Sequence, residues 1–179
     1  LGGEVLGSEG VSRGDNHYTK GANSVRKQPT SRMCFVCGRQ NPVGLKLEFY
    51  EDPAANQVRA DFIIPDKYQG YPGVAHGGIV STILDEISGR AAMMEEAGSR
   101  LLVTLRMTVR FRRPTPTKTS LRAFGWVERT SGIGAKVAGE IRLPDGAVTA
   151  SCTSLLVEPP DEFKETWKEE RPYWKVEEG

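Results

Sequence analysis

The residues whose types and order could do chemistry stand together at His76-Gly77-Gly78 and Asp85. Two glycines in a row leave bare main chain that an oxygen of another molecule can approach closely. Where they open a helix, their N–H groups belong to the first turn. That turn has no intrahelical partners and sits at the positive end of the helix dipole. Such donors stabilise the negative charge that forms on a carbonyl oxygen under attack. The plainer reading is that the glycines only allow a tight turn into the helix. Asp85, eight residues after Gly77, favours chemistry, because a carboxylate can act as the base or nucleophile of that attack.

The spacing predicts a helix from Gly77. Its apolar residues fall at Ile79 and Val80, Ile83 and Leu84, Ile87, Ala91 and Met94, with a C-terminal stop at Gly98. At about 100° per residue, Asp85 lies opposite this stripe, with Ser81, Thr82, Ser88 and Gly89 around it. A solvated helix face would carry Lys, Glu and Arg. Small residues around one carboxylate imply that something comes close to it. Glu86 sits at the edge of the stripe, with Arg90 at the i+4 spacing of a helix ion pair, and reads as structural.

The elements that must position this helix read as strands. Leu101 to Arg112 alternates, with one face apolar throughout at Leu101, Val103, Leu105, Met107, Val109 and Phe111 and the other mostly polar, as in an antiparallel strand with one face on a core. The other predicted strands run over 45–50, 57–64, 120–129, 135–143 and 147–158. Pro144-Asp145-Gly146 is a hairpin turn between the last two. Residues 1–32, rich in Gly, Ser, Asn and Lys, read as a mobile tail that includes His17. Residues 33–158 form one domain. Residues 159–179 read as a charged tail, with a short helix near Glu162 to Glu169 that lays an aromatic on the body.

Composition excludes several classes. A net charge of +1 gives no reason to expect a nucleic-acid partner. No apolar run approaches a membrane span, and no basic start leads into an apolar core as in a secretory signal. Cys34, Cys37 and Cys152 fit a reducing cytosol, hence a cytoplasmic protein. Cys34 and Cys37 form a C-x-x-C pair, but a structural zinc needs four ligands. The other Cys, Cys152, and the His outside the tail, His76, would have to converge from distant elements, and an oxidoreductase dithiol would open a helix in a βαβ unit, whereas turn residues Asn41-Pro42-Val43-Gly44 follow here. The pair therefore reads as packing, and no metal is expected.

The order of elements implies an α+β architecture, an antiparallel sheet of about six strands wrapped around one long helix. Such a sheet leaves an edge and one helix face uncovered, which pairing of two copies would cover. With this order, the His76-Gly77-Gly78 helix entry and the helical acid Asp85, the chain resembles the hot-dog-fold acyl-CoA thioesterases. Within them it is most similar to the PaaI-like and 4-hydroxybenzoyl-CoA thioesterase branch. The segment Cys34 to Leu45, with Cys-Phe-x-Cys-Gly followed by Asn-Pro-x-Gly-Leu, also recurs before the first strand in such proteins.

The resemblance implies an acyl-CoA substrate, no cofactor, and a homo-oligomer that is a dimer or a dimer of dimers. It implies that the Gly77 N–H, with Gly78 beside it, polarises the thioester carbonyl and that Asp85 is nucleophile or general base. Thr104 matches a position where relatives carry a Ser or Thr that holds water or substrate. A plain polar strand residue fits it equally. His76 is expected to orient rather than transfer protons. Relatives place an Asn or Gln six residues before the motif His; here that position is Gly70, with Gln69 beside it. Arg112 and Arg113 are expected to meet coenzyme A phosphates. Gly77 and Asp85 are about 12 Å apart along one helix, so the site is expected to combine Gly77 of one subunit with Asp85 of another. Two other classes stay open. A non-catalytic acyl-CoA-binding or sensing module is kept in play by Gly70. A hot-dog hydratase or dehydratase would need a catalytic His with a distant acid, whereas His76 precedes Asp85 by nine residues.

Overall fold

The computed structural model of the chain describes residues 24–95 and 101–176. The predicted stop at Gly98, His17 and most of the predicted N-terminal tail lie outside those residues. One long helix, α1 (Gly77–Glu95), follows the strands β1 (Arg26–Lys27), β2 (Tyr50–Asp52), β3 (Gln57–Ile63), β4 (Gln69–Tyr71) and β5 (Val74–Ala75). After it come β6 (Val103–Phe111), β7 (Ser120–Ser131), β8 (Gly134–Arg142), β9 (Val148–Val157) and a short helix, α2 (Asp161–Glu170). Seven strands form one antiparallel sheet in the order β1-β2-β3-β7-β8-β9-β6, and β4 and β5 make a small separate ribbon. A sheet curled over one long helix is the hot-dog arrangement.

The helix lies along the concave face because its stripe is apolar. Val80, Ile83, Leu84, Ile87 and Ala91 are fully buried, against Phe49, Val58, Ala60, Val137, Ile141 and Leu156 of the sheet side. Close approach depends on two glycines that pair across β7 and β8, Gly125 and Gly139. A Cβ at Gly125 would stand 2.6 Å from the Ile87 carbonyl oxygen, and one at Gly139 would stand 3.1 Å from Ile87 Cγ2.

Three expectations need correction. The packed body starts before Met33: Gln28, Thr30 and Ser31 are buried, and β1 adds a seventh strand to the main sheet. Thr30 is tied in through its main chain, N to the Lys175 carbonyl at 3.0 Å, and Ser31 through its hydroxyl, which accepts the Cys34 N–H at 3.0 Å. Gln28 Nε2 donates to the Arg90 carbonyl at 3.0 Å and to Glu51 Oε1 at 3.1 Å. Second, residues 45–49 alternate in burial as a strand would, but regular pairing begins only at Tyr50. Lys46 has a positive φ of 56°, and the stretch pairs irregularly with the Cys34–Cys37 loop through Leu45 N to Phe35 O and Leu47 N to Val36 O. Third, β6 is an edge strand and its ladder with β9 slips between Thr104 and Arg106, so Leu105, which the pairing skips, is 64% exposed; Phe111, at the end of the strand, is also exposed. The C-terminal helix stands where the spacing put it. Trp167 meets Trp174 edge to face, and Trp174 lies over the Arg90 guanidinium at 4.7 Å. Among the described residues no helix is long and apolar enough to cross a membrane.

Candidate active site

The entry to α1 is built from His76. Its carbonyl accepts the first helical bond, from Val80 N at 3.2 Å, which makes it the N-cap. Its side chain folds back so that Nδ1 accepts the Gly78 N–H at 2.9 Å. This is the role that Ser, Thr, Asp or Asn usually fills at this position. Gly78 permits it, since a Cβ there would stand 3.0 Å from that nitrogen. With Gly78 satisfied, the Gly77 N–H has no hydrogen-bond partner among the described residues. It opens on a small hollow of about 230 Å³ lined by Val80, Phe111, Arg112 and Arg113. His76 is thus an orienting residue, and Gly77, more than Gly78, carries the available donor.

Asp85 lies on the exposed side of α1, as the helical spacing placed it. The Thr104 hydroxyl donates to Asp85 Oδ1 at 2.7 Å, a charge-assisted bond that holds one carboxylate oxygen and leaves the other without a partner among the described residues. Both residues line a cleft of about 770 Å³ whose further walls include Met93, Leu101, Leu102, Trp167 and Trp174. The structure therefore brings Thr104 to Asp85, but it does not bring Gly77 to Asp85. The two groups open into separate hollows, beside opposite ends of β6. Phe111, the last residue of β6, is the neighbour of Gly77, and Thr104, near the first, is the neighbour of Asp85.

Several residues occupy places other than those expected. Ser88 is buried rather than on the open face; its hydroxyl donates to the Leu84 carbonyl at 2.8 Å and meets Cys152 Sγ at 3.4 Å. Gln69 is turned into its own loop, where Oε1 accepts the Gly73 N–H at 3.3 Å. Gly70 packs so close to the motif that a Cβ would lie 3.2 Å from His76 Cα. Neither residue supplies a polar group to Gly77. Arg112 and Arg113 are exposed at the rim of the Gly77 hollow, and neither has an acidic partner among the described residues. Arg112 Nε donates to Ser151 Oγ at 3.3 Å.

One grouping was invisible in the sequence. Glu86 does pair with Arg90, Nε to Oε1 at 2.8 Å, around a guanidinium that is 1% exposed. Its other oxygen, Oε2, lies 3.7 Å from Cys34 Sγ, across 52 residues of chain. The hydrogen bond from the Cys34 thiol draws Cys37 down to about 6; the same bond, burial and the Glu86 charge push Cys34 up. Cys152 is remote from this group and is raised chiefly by burial.

Comparison with known proteins gives a consistent picture. The family model of the thioesterase superfamily matches residues 72–150, which span the α1 entry, Asp85 and Thr104. An acyl-coenzyme A thioesterase, THEM4, of Xenopus laevis is 25% identical over 142 residues, 79% of this chain and 62% of that protein. A crystal structure of a thioesterase superfamily protein aligns with a TM-score of 0.64 at 30% identity, over 71% of this chain and 61% of that one. A Streptococcus mutans protein solved bound to acetyl-CoA has the same fold, with a TM-score of 0.53 at 21% identity, over 58% of this chain and 82% of that one. The chain spans about three fifths of the length of the first two of these relatives.

Proposed function

Because the thioesterase superfamily model matches residues 72–150, we propose that the chain hydrolyses an acyl-CoA thioester to a free acid and coenzyme A, in a site shared between two copies. The observation that carries this reading is Asp85, exposed on a cleft and fixed by Thr104 at 2.7 Å. As general base, the free oxygen of Asp85 takes a proton from water as the water oxygen bonds to the thioester carbon. The Gly77 N–H, at the positive end of α1, holds the oxyanion of the tetrahedral intermediate. The carbon–sulfur bond then breaks, and the proton on Asp85 passes to the departing sulfur. As nucleophile, Asp85 would attack the carbon itself, the carbon–sulfur bond would break to expel coenzyme A as a thiolate that takes a proton from solvent, and water would then hydrolyse the resulting anhydride to the acid and the free carboxylate.

Sharing follows from distance. Eight residues of helix separate Gly77 from Asp85, a rise of about 12 Å, whereas the attacking atom must come within about 3 Å of the carbonyl carbon. The open edge of β6 supports the same conclusion. Nine residues of strand end the sheet with no neighbour on their outer side among the described residues, a surface that proteins cover or pair. Antiparallel pairing of β6 with its copy about Met107 would set the Asp85 and Thr104 end of one chain against the Gly77 and Phe111 end of the other. A two-fold axis would form two such sites. Arg112 and Arg113, without acidic partners among the described residues and at the rim of the Gly77 hollow, then meet the coenzyme A phosphates. Three free thiols support a reducing, cytoplasmic setting.

Gly70 favours one second reading, an acyl-CoA-binding module that does not turn over, because neither it nor Gln69 offers a polar group for water near Gly77. A panel of acyl-CoAs, followed with a thiol reagent, separates the two. Release of coenzyme A that is lost in Asp85→Asn supports hydrolysis. A thermal shift with acyl-CoA but no thiol release supports binding alone.

A further inference from the structure

We propose that Cys34 Sγ, Cys37 Sγ and Glu86 Oε2 form a zinc site that staples the N-terminal loop to α1. These three ligand atoms all lie within 4.8 Å of one another. A tetrahedral zinc with bonds of about 2.3 Å to sulfur and about 2.0 Å to a carboxylate oxygen holds those two atoms roughly 3.5 Å apart. Cys34 Sγ and Glu86 Oε2 are 3.7 Å apart, so ligation needs only a small adjustment.

The loop is shaped to present both sulfurs on one side. The Gly38 N–H closes the C-x-x-C turn on the Cys34 carbonyl at 2.8 Å. A Cβ at Gly38 would stand 2.4 Å from that oxygen and 2.6 Å from Cys34 N, so the turn is too tight for any side chain there. The Val36 N–H points at Cys34 Sγ at 3.3 Å, and Ser31 Oγ lies 3.6 Å from Cys37 Sγ.

The carboxylate is also fixed from behind. Arg90 Nε holds Glu86 Oε1 at 2.8 Å and leaves Oε2 for the cluster, the kind of outer hydrogen bond that orients ligating carboxylates. Charge balances as well. Two thiolates and a carboxylate carry three negative charges, which zinc and the buried Arg90 guanidinium offset together. Both sulfurs ligate as thiolates, so zinc competes with protons for them. Thiolate ligands in a tetrahedral arrangement select zinc over magnesium or calcium, and water takes the fourth position. The ligands include neither Asp85 nor Gly77, so the site stands or falls apart from the hydrolysis above.

The experiment uses the full chain, reduced, loaded with zinc, desalted and analysed for metal. The expected result is about one zinc per chain, absent from the Cys34→Ser/Cys37→Ser variant and bound at least ten-fold more weakly by Glu86→Gln. Zinc in hundred-fold excess over its dissociation constant should raise the melting temperature of the parent by about 5–10 °C. Cobalt(II) in place of zinc should give the parent a thiolate-to-metal charge-transfer band, a readout that does not need the variants to fold. A parent that retains no metal, a double-Ser variant that retains as much as the parent, or bound cobalt without a thiolate band would each overturn the proposal.

Discussion

Replacing Arg90 with Met tests how the centre of the helix is held. Arg90 is 1% exposed. The substitution removes its bond to Glu86 at 2.8 Å, its bond to the Pro29 carbonyl at 2.5 Å, and its contacts with the Phe49 and Trp174 rings at 4.6 and 4.7 Å. Losing one partner of a buried ion pair costs about 3–5 kcal/mol, because the other charge is left behind. Glu86 keeps 20% of its exposure, which sets the expectation toward the lower end, about 3 kcal/mol. For a chain of this size that lowers the melting temperature by roughly 6–12 °C. Glu86→Gln should cost about 1–3 kcal/mol, since an amide oxygen still accepts from Arg90. The double variant should lose less than the sum of the two. Urea titrations with a chelator present measure all three without any metal contribution. A cost below about 1 kcal/mol for Arg90→Met, or strict additivity in the double variant, would refute the claim that this pair anchors the N-terminal segment to α1.

Asp85→Asn should lower turnover of acyl-CoA by about 10²- to 10⁴-fold with little change in melting, while Glu86→Gln leaves turnover nearly unchanged; equal losses would remove Asp85 from its role. Thr104→Val, which takes away the 2.7 Å bond to Asp85 Oδ1, should cost roughly ten-fold in kcat with KM little altered, read from steady-state kinetics. Gly125→Ala should destabilise by about 2 kcal/mol or more, because its methyl would meet the Ile87 carbonyl oxygen at 2.6 Å. Gly132→Ala, with nothing within 4 Å of the new methyl, serves as its control in the same chemical melt.

What the sequence made legible followed periodicity. The stripe from Ile79 to Met94 and the alternation from Leu101 to Arg112 each repeat at the spacing of one structure, so helix, strand and the outward aspect of Asp85 could be read directly. Contacts between elements far apart in sequence were not legible. Alternation gave the apolar face of β6, yet nothing in it told that β6 ends the sheet or that its pairing with β9 slips at Leu105 and leaves that residue exposed. Ser88 lies at the border of the stripe, where its bond to the Leu84 carbonyl allows burial. Gln28 and Thr30 are polar residues in a polar stretch, and only the fold shows that they are covered. Glu86 was rightly read as the partner of Arg90, but its second oxygen meets a cysteine 52 residues away, which no local pattern announces. Gly125 and Gly139 fall inside predicted strands, and only the helix packed across them shows why a side chain there would clash.

The central claim is that one active site draws on two chains, and subunit mixing tests it most directly. Asp85→Asn removes the carboxylate. Gly77→Pro removes the N–H at the first helical position, where His76 is the N-cap and proline is tolerated. Each variant alone should be inactive. Unfolded together and refolded, they should pair at random, so that about half the dimers are mixed and each mixed dimer has one intact site. Thiol release from acyl-CoA should return to roughly a quarter of the parent rate. If both variants refold and dimerise but the mixture releases no thiol, the site is not shared and Gly77 and Asp85 do not act on one thioester.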